Sequence, residues 1–182
     1  MTESGSRPQL VTCLWSNGQA EEAARFYVDA FSAYRPDTHL DEVRRSAIDV
    51  VPGGDQVHLR AGDVLTVSFT LDGQRFVALN DPARPVPYTD AVSLQVLCGN
   101  QEEVDHFWSA LTAGGGTGVA CGWLQDRFGM RWQVVPTVLL ELLAGEDRDA
   151  AARVQRAMMG MVRLSIEGLM DAAQDAFGAE EQ

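Results

Sequence analysis

The side chains most able to do chemistry in this chain are His39, His58 and His106, the thiols Cys13, Cys98 and Cys121, and the adjacent carboxylates Glu21-Glu22 and Glu102-Glu103. Their spacing argues against most of the reactions they could support. The run "HLDE" (39–42) is the nearest approach to a metal-ligand cluster, yet it reads as a solvated strand end. His58 falls in a Gly-rich loop and His106 on the polar side of a helix. The cysteines are odd in number and contain no C-x-x-C pair, so they are expected to be reduced thiols acting as small hydrophobes. Adjacent helical carboxylates do not face one another, and both Glu pairs are explained by a first helical turn, where negative charge suits the dipole. No Ser-His-Asp or Cys-His arrangement is visible. Gln133 raises a different question, because in "FGMRWQVV" (128–135) a neutral amide occupies the strand face where an enzyme would place a carboxylate.

The elements that must position these residues come in duplicate. "NGQAEEAARFY" (17–27) puts Ala20, Ala23, Ala24, Tyr27 and Phe31 on one helical stripe. "GNQEEVDHFW" (99–108) repeats it with Val104, Phe107, Trp108 and Leu111, behind an Asn100/Glu103 capping signal. Aligning Glu21-Glu22 with Glu102-Glu103 superposes the strand "VTCLWS" (11–16) on "VSLQVL" (92–97). "DGQRFVAL" (72–79) likewise resembles "FGMRWQVV": a Gly turn, an Arg and an aromatic leading into an alternating strand. The first half carries an extra polar, Gly-rich loop over 49–63. These repeats predict an α+β protein of two β-α-β-β-β modules, about 10–80 and 91–136, jointly spanning 10–136 and enclosing a cleft. A helical extension follows over 137–177: a short helix closed by Gly145, a helix with Val154, Ala157, Met158 and Met161 on one stripe, and a last helix capped by Ser165 before a frayed acidic tail.

With 182 residues and 46% hydrophobic composition, the chain can bury a core, and a net charge of −12 with scattered basic residues excludes a nucleic-acid partner. The start "MTESGSRPQ" lacks the apolar segment of a signal peptide, and no run approaches the about 18 apolar residues of a membrane span. The expectation is a cytoplasmic protein without a membrane partner.

Taken together, "LWSNGQAEEAARFY", "VLTVSFTLDGQRFVALN", "VSLQVLCGNQEEVDHFW", "CGWLQDRFGMRWQVVP" and "AMMGMVRLSIEGL" resemble the PhnB-like branch of the vicinal oxygen chelate superfamily, over about Leu10 to Leu169. The resemblance implies the glyoxalase/bleomycin-resistance fold. Members of this branch often carry a demethylubiquinone methyltransferase label. The one Gly-rich run here, "GGGTG" (114–118), follows a helix rather than opening one, which argues against a nucleotide-type methyl-donor site. Superfamily enzymes hold a divalent metal from four strand positions, and the repeat alignment carries these to Thr12, Val77, Ser93 and Gln133. Of these only Gln133 could ligate well, so no metal and no other cofactor is expected. The amide at Gln133 follows, since a carboxylate there without a cation would be a buried uncompensated charge.

Strand parity assigns Thr12, Leu14, Arg75, Val77 and Leu79 in the first module, and Ser93, Gln95, Arg131, Gln133 and Val135 in the second, to the cleft. Trp123 either walls the cleft or fills core. An apolar lining with a few amides suits a small-molecule ligand. The functional expectation is metal-independent binding of a small, partly apolar molecule. The alternative is a metal-free isomerase, cyclase or group transferase, with a metal-dependent glyoxalase or dioxygenase, or the methyltransferase, further behind. A homodimer is expected, because superfamily folds commonly pair and the Val154/Met158/Met161 stripe needs a covering surface.

Overall fold

The structure, a computed structural model, describes residues 10–52 and 56–174, so the polar start and the acidic tail lie outside the described residues. Two units divide at Val86/Pro87. In the first, β1 (Thr12–Ser16), α1 (Ala20–Ser32), β2 (His39–Arg45), β3 (Val64–Leu71) and β4 (Gln74–Asn80) form a sheet of order β1-β4-β3-β2, with β1 parallel to β4 and the remaining pairs antiparallel. The helical stripe read from sequence is buried: Ala20, Ala23, Ala24, Tyr27, Ala30 and Phe31. Its alanines present little bulk to the sheet, while Tyr27 reaches Phe69, which stacks on Phe76 with ring centroids 5.3 Å apart. Asp72 and Gly73 join β3 to β4 with φ of +50° and +76°, the positive pair that a tight two-residue hairpin requires. The expected loop over 49–63 is tied back at several points. Val50 bridges to Leu59, which is buried, and His58 Nδ1 lies 2.9 Å from Asp81 Oδ2 beyond the end of β4.

The second unit repeats the order: β5 (Leu94–Cys98), α2 (Gln101–Thr112), β6 (Thr117–Gly118), β7 (Trp123–Gln125) and β8 (Arg131–Pro136), in a sheet β5-β8-β7-β6 with β5 parallel to β8. Asn100 caps α2 by accepting the Glu103 N–H at 2.9 Å, and Glu103 reaches back to the Gly99 N–H at 3.2 Å. Buried Val104, Phe107 and Leu111 are the apolar stripe of α2, and Val96, Cys98, Leu124, Trp132 and Val134 are among the buried positions on its sheet.

Three helices follow: α3 (Thr137–Ala144), α4 (Arg148–Met159) and α5 (Ile166–Gln174). Leu139, Val154, Leu164 and Leu169 form a buried cluster with Val135 of β8, and Met158 and Met161 pack against it. Two expectations change here. Helix α4 ends before Met161, which joins the cluster from the following turn. The stripe is also covered within its own chain, so it supplies no argument for a homodimer. Among the described residues, no helix is long and apolar enough to cross a membrane.

Asp147 caps α4 by accepting the N–H groups of Asp149 and Ala150, both at 3.0 Å. The Ala150 bond chiefly, with Asp149 and the Arg153 charge assisting, holds its carboxyl below the ordinary aspartate value. A depressed folded value means stabilisation that is present above the unfolded pKa and lost as pH falls through the folded one. Thermal melts should therefore show Asp147→Ala less stable than wild type at neutral pH, with the gap closing in strong acid. Asp147→Asn, which keeps an acceptor oxygen, should lose less.

Candidate functional site

The geometry of the second sheet follows from the alternation of β8. Trp132 pairs with Leu94 and Leu124, and Val134 with Val96, on the α2 side. Gln133 pairs with both Gln95 and Trp123, and Arg131 with Gln125, on the opposite side. A buried carboxylate fixes this register. Asp126, 2% exposed, accepts the backbone N–H of Phe128 at 2.8 Å and of Met130 at 3.0 Å, and the indole N–H of Trp132 at 2.8 Å. Asp126 thus shapes the turn between β7 and β8 and holds Trp132 as well.

On the outward side the amides form a relay: Gln95 Nε2 donates to Gln133 Oε1 at 3.3 Å, and Gln133 Nε2 donates to Ser93 Oγ at 2.7 Å. Beside it lies a cavity of about 440 Å³ walled by Val119, Ala120, Trp123 and Leu124, with Asp90, Cys121 and Arg131 as its polar and sulfur groups. Trp123, left open between wall and core, is a wall. Cys121 has φ +59°, a left-handed conformation uncommon outside glycine, and its N–H donates to Met161 O at 2.7 Å. Next to it, Gly122 has φ +79°, and a Cβ there would stand 2.8 Å from Val134 O. The segment after α4 thus pins the 119–122 wall.

In the first unit, Val77 and Leu79 pair with Cys13 and Trp15 on the side away from α1, and Arg75 is exposed on the same side. Thr12 and Leu14 are corrected. They pair with Phe76 and Ala78 on the α1 side, and Leu14 is core at 6% exposure. Three residues, 17–19, separate β1 from α1, whereas only two, 99–100, separate β5 from α2. An alignment anchored on the helices therefore slips the strands by one position, and a slip of one reverses the face of every side chain. With the slip removed, Cys13 matches Gln95, and the four positions carried over from the superfamily become Cys13 and Val77 in one unit and Gln95 and Gln133 in the other.

These residues do not fit a divalent metal. Val77 offers no donor, Cys13 a single thiol, and the Gln133 oxygen and nitrogen are both engaged in the relay. Among the described residues no three His, Cys, Asp or Glu side chains gather elsewhere. His39 is half-exposed beside Asp37 and Asp41, and His58 is paired with Asp81. Sequence reasoning missed Asp90, Val119, Ala120 and Cys121 as cavity residues. They sit outside the strands and their repeats, and no periodicity marks them.

Two modules of order β-α-β-β-β, each a mixed four-stranded sheet with one helix, define a protein of the glyoxalase/bleomycin-resistance fold. Residues 8–135 match the family model described as 3-demethylubiquinone-9 3-methyltransferase, and the chain belongs to that PhnB-like family. Among solved structures it is similar to a PhnB protein from Bacillus cereus whose description carries the same methyltransferase label, at 28% identity and TM-score 0.57, over 71% of this chain and 99% of that one. It is also similar to protein PA1353 from Pseudomonas aeruginosa, at 20% identity and TM-score 0.52, over 71% and 98%. A glyoxalase/bleomycin resistance protein from Albidiferax ferrireducens T118 aligns at 16% identity and TM-score 0.45, over 70% and 97%. No curated protein matches the chain.

Replacing Asp126 with Ala strands three donors, two of them on fully buried Met130 and Trp132, and each such group costs about 1–3 kcal/mol. Urea unfolding should show Asp126→Ala destabilised by about 3 kcal/mol or more. Asp126→Asn, which retains an acceptor oxygen, should lose distinctly less.

Proposed function

We propose that this protein binds a small, partly apolar molecule on the side of β7 and β8 turned away from α2, and does so without a metal. The observation that carries the reading is the neutral amide relay of Gln95, Gln133 and Ser93 beside the Trp123-walled cavity. A cavity of this size, mostly apolar with a few convergent polar groups, has the composition of small-molecule sites. The relay amides border this cavity and add no charge of their own, while Asp90 and Arg131 in its lining are paired with each other.

Turnover would need a group that exchanges protons near the ligand. In the cavity lining only Asp90 and Cys121 are of a type that exchanges protons, and the amides Gln95 and Gln133 beside it are not. The methyltransferase label of the family model is not carried over to this chain. Its Gly-rich run leads from the end of α2 into β6, and Gly116 and Gly118 stand where a Cβ would meet Thr112 Cα at 2.8 Å and the Trp108 ring at 2.5 Å. Close packing accounts for those glycines, and nucleotide-type loops run instead from a strand into a helix.

Thermal-shift and native mass-spectrometric screening against metabolites and cyclic antibiotics tests the proposal. A ligand should bind, be recovered unchanged after long incubation, and lose about tenfold or more in affinity with Trp123→Ala, which removes the indole that walls the cavity. Conversion of the ligand to a product would overturn the binding reading in favour of a metal-free enzyme.

A further inference from the structure

We infer, taking the Trp123 cavity as the binding site proposed above, that its ligand carries an anionic group on a flat apolar body, and that Asp90 stands where that anion docks. Arg131 is the basis. Its side chain is 22% exposed, and one terminal nitrogen, Nη1, donates to Gln125 Oε1, a neutral partner. Its Nε lies 2.8 Å from Asp90 Oδ1, an ion pair without the alignment of a hydrogen bond. Nε is one of two buried side-chain N or O atoms among the described residues that lack a hydrogen-bond partner.

A guanidinium cannot relieve this demand by losing its proton, so it calls for an acceptor in the plane of its fork. Asp90 supplies charge but not alignment. It is 77% exposed and lies in the 81–93 segment, which contributes no helix or strand, so it is weakly held. A ligand carboxylate entering from the cavity could meet Arg131 in plane and displace it, gaining the directional bond that Asp90 does not make. The indole of Trp123 and the apolar side chains of Val119 and Ala120 then receive the rest of the molecule. An indole face favours a flat body over a branched one. A cationic ligand would instead meet Arg131 with Asp90 as its only counter-charge in the lining.

The test uses 2-naphthoate and its neutral counterpart 2-naphthamide, titrated calorimetrically into the full-length protein and into Asp90→Asn and Arg131→Gln. Naphthoate should bind about tenfold tighter than naphthamide, the value of one charge-assisted hydrogen bond. Asp90→Asn should tighten naphthoate severalfold and leave naphthamide unchanged, and Arg131→Gln should erase the preference. Naphthoate should also slow alkylation of Cys121, which lines the cavity, and not of exposed Cys13, as read peptide by peptide. Equal affinity for the two probes, or no tightening in Asp90→Asn, overturns the anion inference and leaves the binding site standing. Binding of neither probe at millimolar concentration, or binding that leaves Cys121 unprotected, overturns the site and the inference together. Should Arg131→Gln not fold, Asp90→Asn, at an exposed loop position, decides the matter alone.

Discussion

The arrangement of the second unit depends on a single buried carboxylate. Asp126 is removed from water, and burying a charge is tolerable only when donors surround it; here two backbone N–H groups and the Trp132 indole do so. Those three bonds close the turn between β7 and β8 and hold Trp132 towards α2. Because β8 alternates, fixing Trp132 inward fixes Arg131 and Gln133 outward. The amide relay, the ion pair with Asp90 and the tryptophan wall all follow from that choice of face.

The first unit reaches the same topology without such a device. Its β3–β4 hairpin closes over Asp72-Gly73, with both residues at positive φ, so backbone conformation alone sets the register. A two-residue turn needs no buried acceptor, whereas the five residues between Gln125 and Arg131 bring N–H groups that must be satisfied internally. The duplicated modules thus solve one geometric problem in two ways, and the longer loop is the one that borders the cavity residues.

Much of the fold was legible because it rests on periodicity. The stripes at Ala20–Phe31 and Val104–Leu111, the Asn100 cap and the paired Gly turns at Gly73 and Gly129 all carry local signals that packing reinforces. The alternation of the second sheet was legible for the same reason, except that Val135, read as lining the cleft, is buried under the C-terminal helices. The face of β1 was not, because one extra residue before α1 slips the strand by one position and reverses Thr12 and Leu14, and no local pattern in "VTCLWS" marks that slip. The cavity was the least legible part. Asp90 and Cys121 reach it from segments outside the repeats, and Cys121 adopts a left-handed backbone that its residue type does not announce.

The central claim is that the strand positions at which the superfamily holds a metal are here occupied by side chains that bond to one another or offer no adequate donor set, which is the ground for proposing binding without a metal. Elemental analysis of protein purified without chelator or affinity tag tests this most directly. The account predicts substoichiometric Zn, Ni, Mn and Fe, with ligand affinity unchanged after dialysis against a strong chelator. One equivalent of any of these metals, lost together with ligand binding in Gln95→Ala or Gln133→Ala, would contradict it.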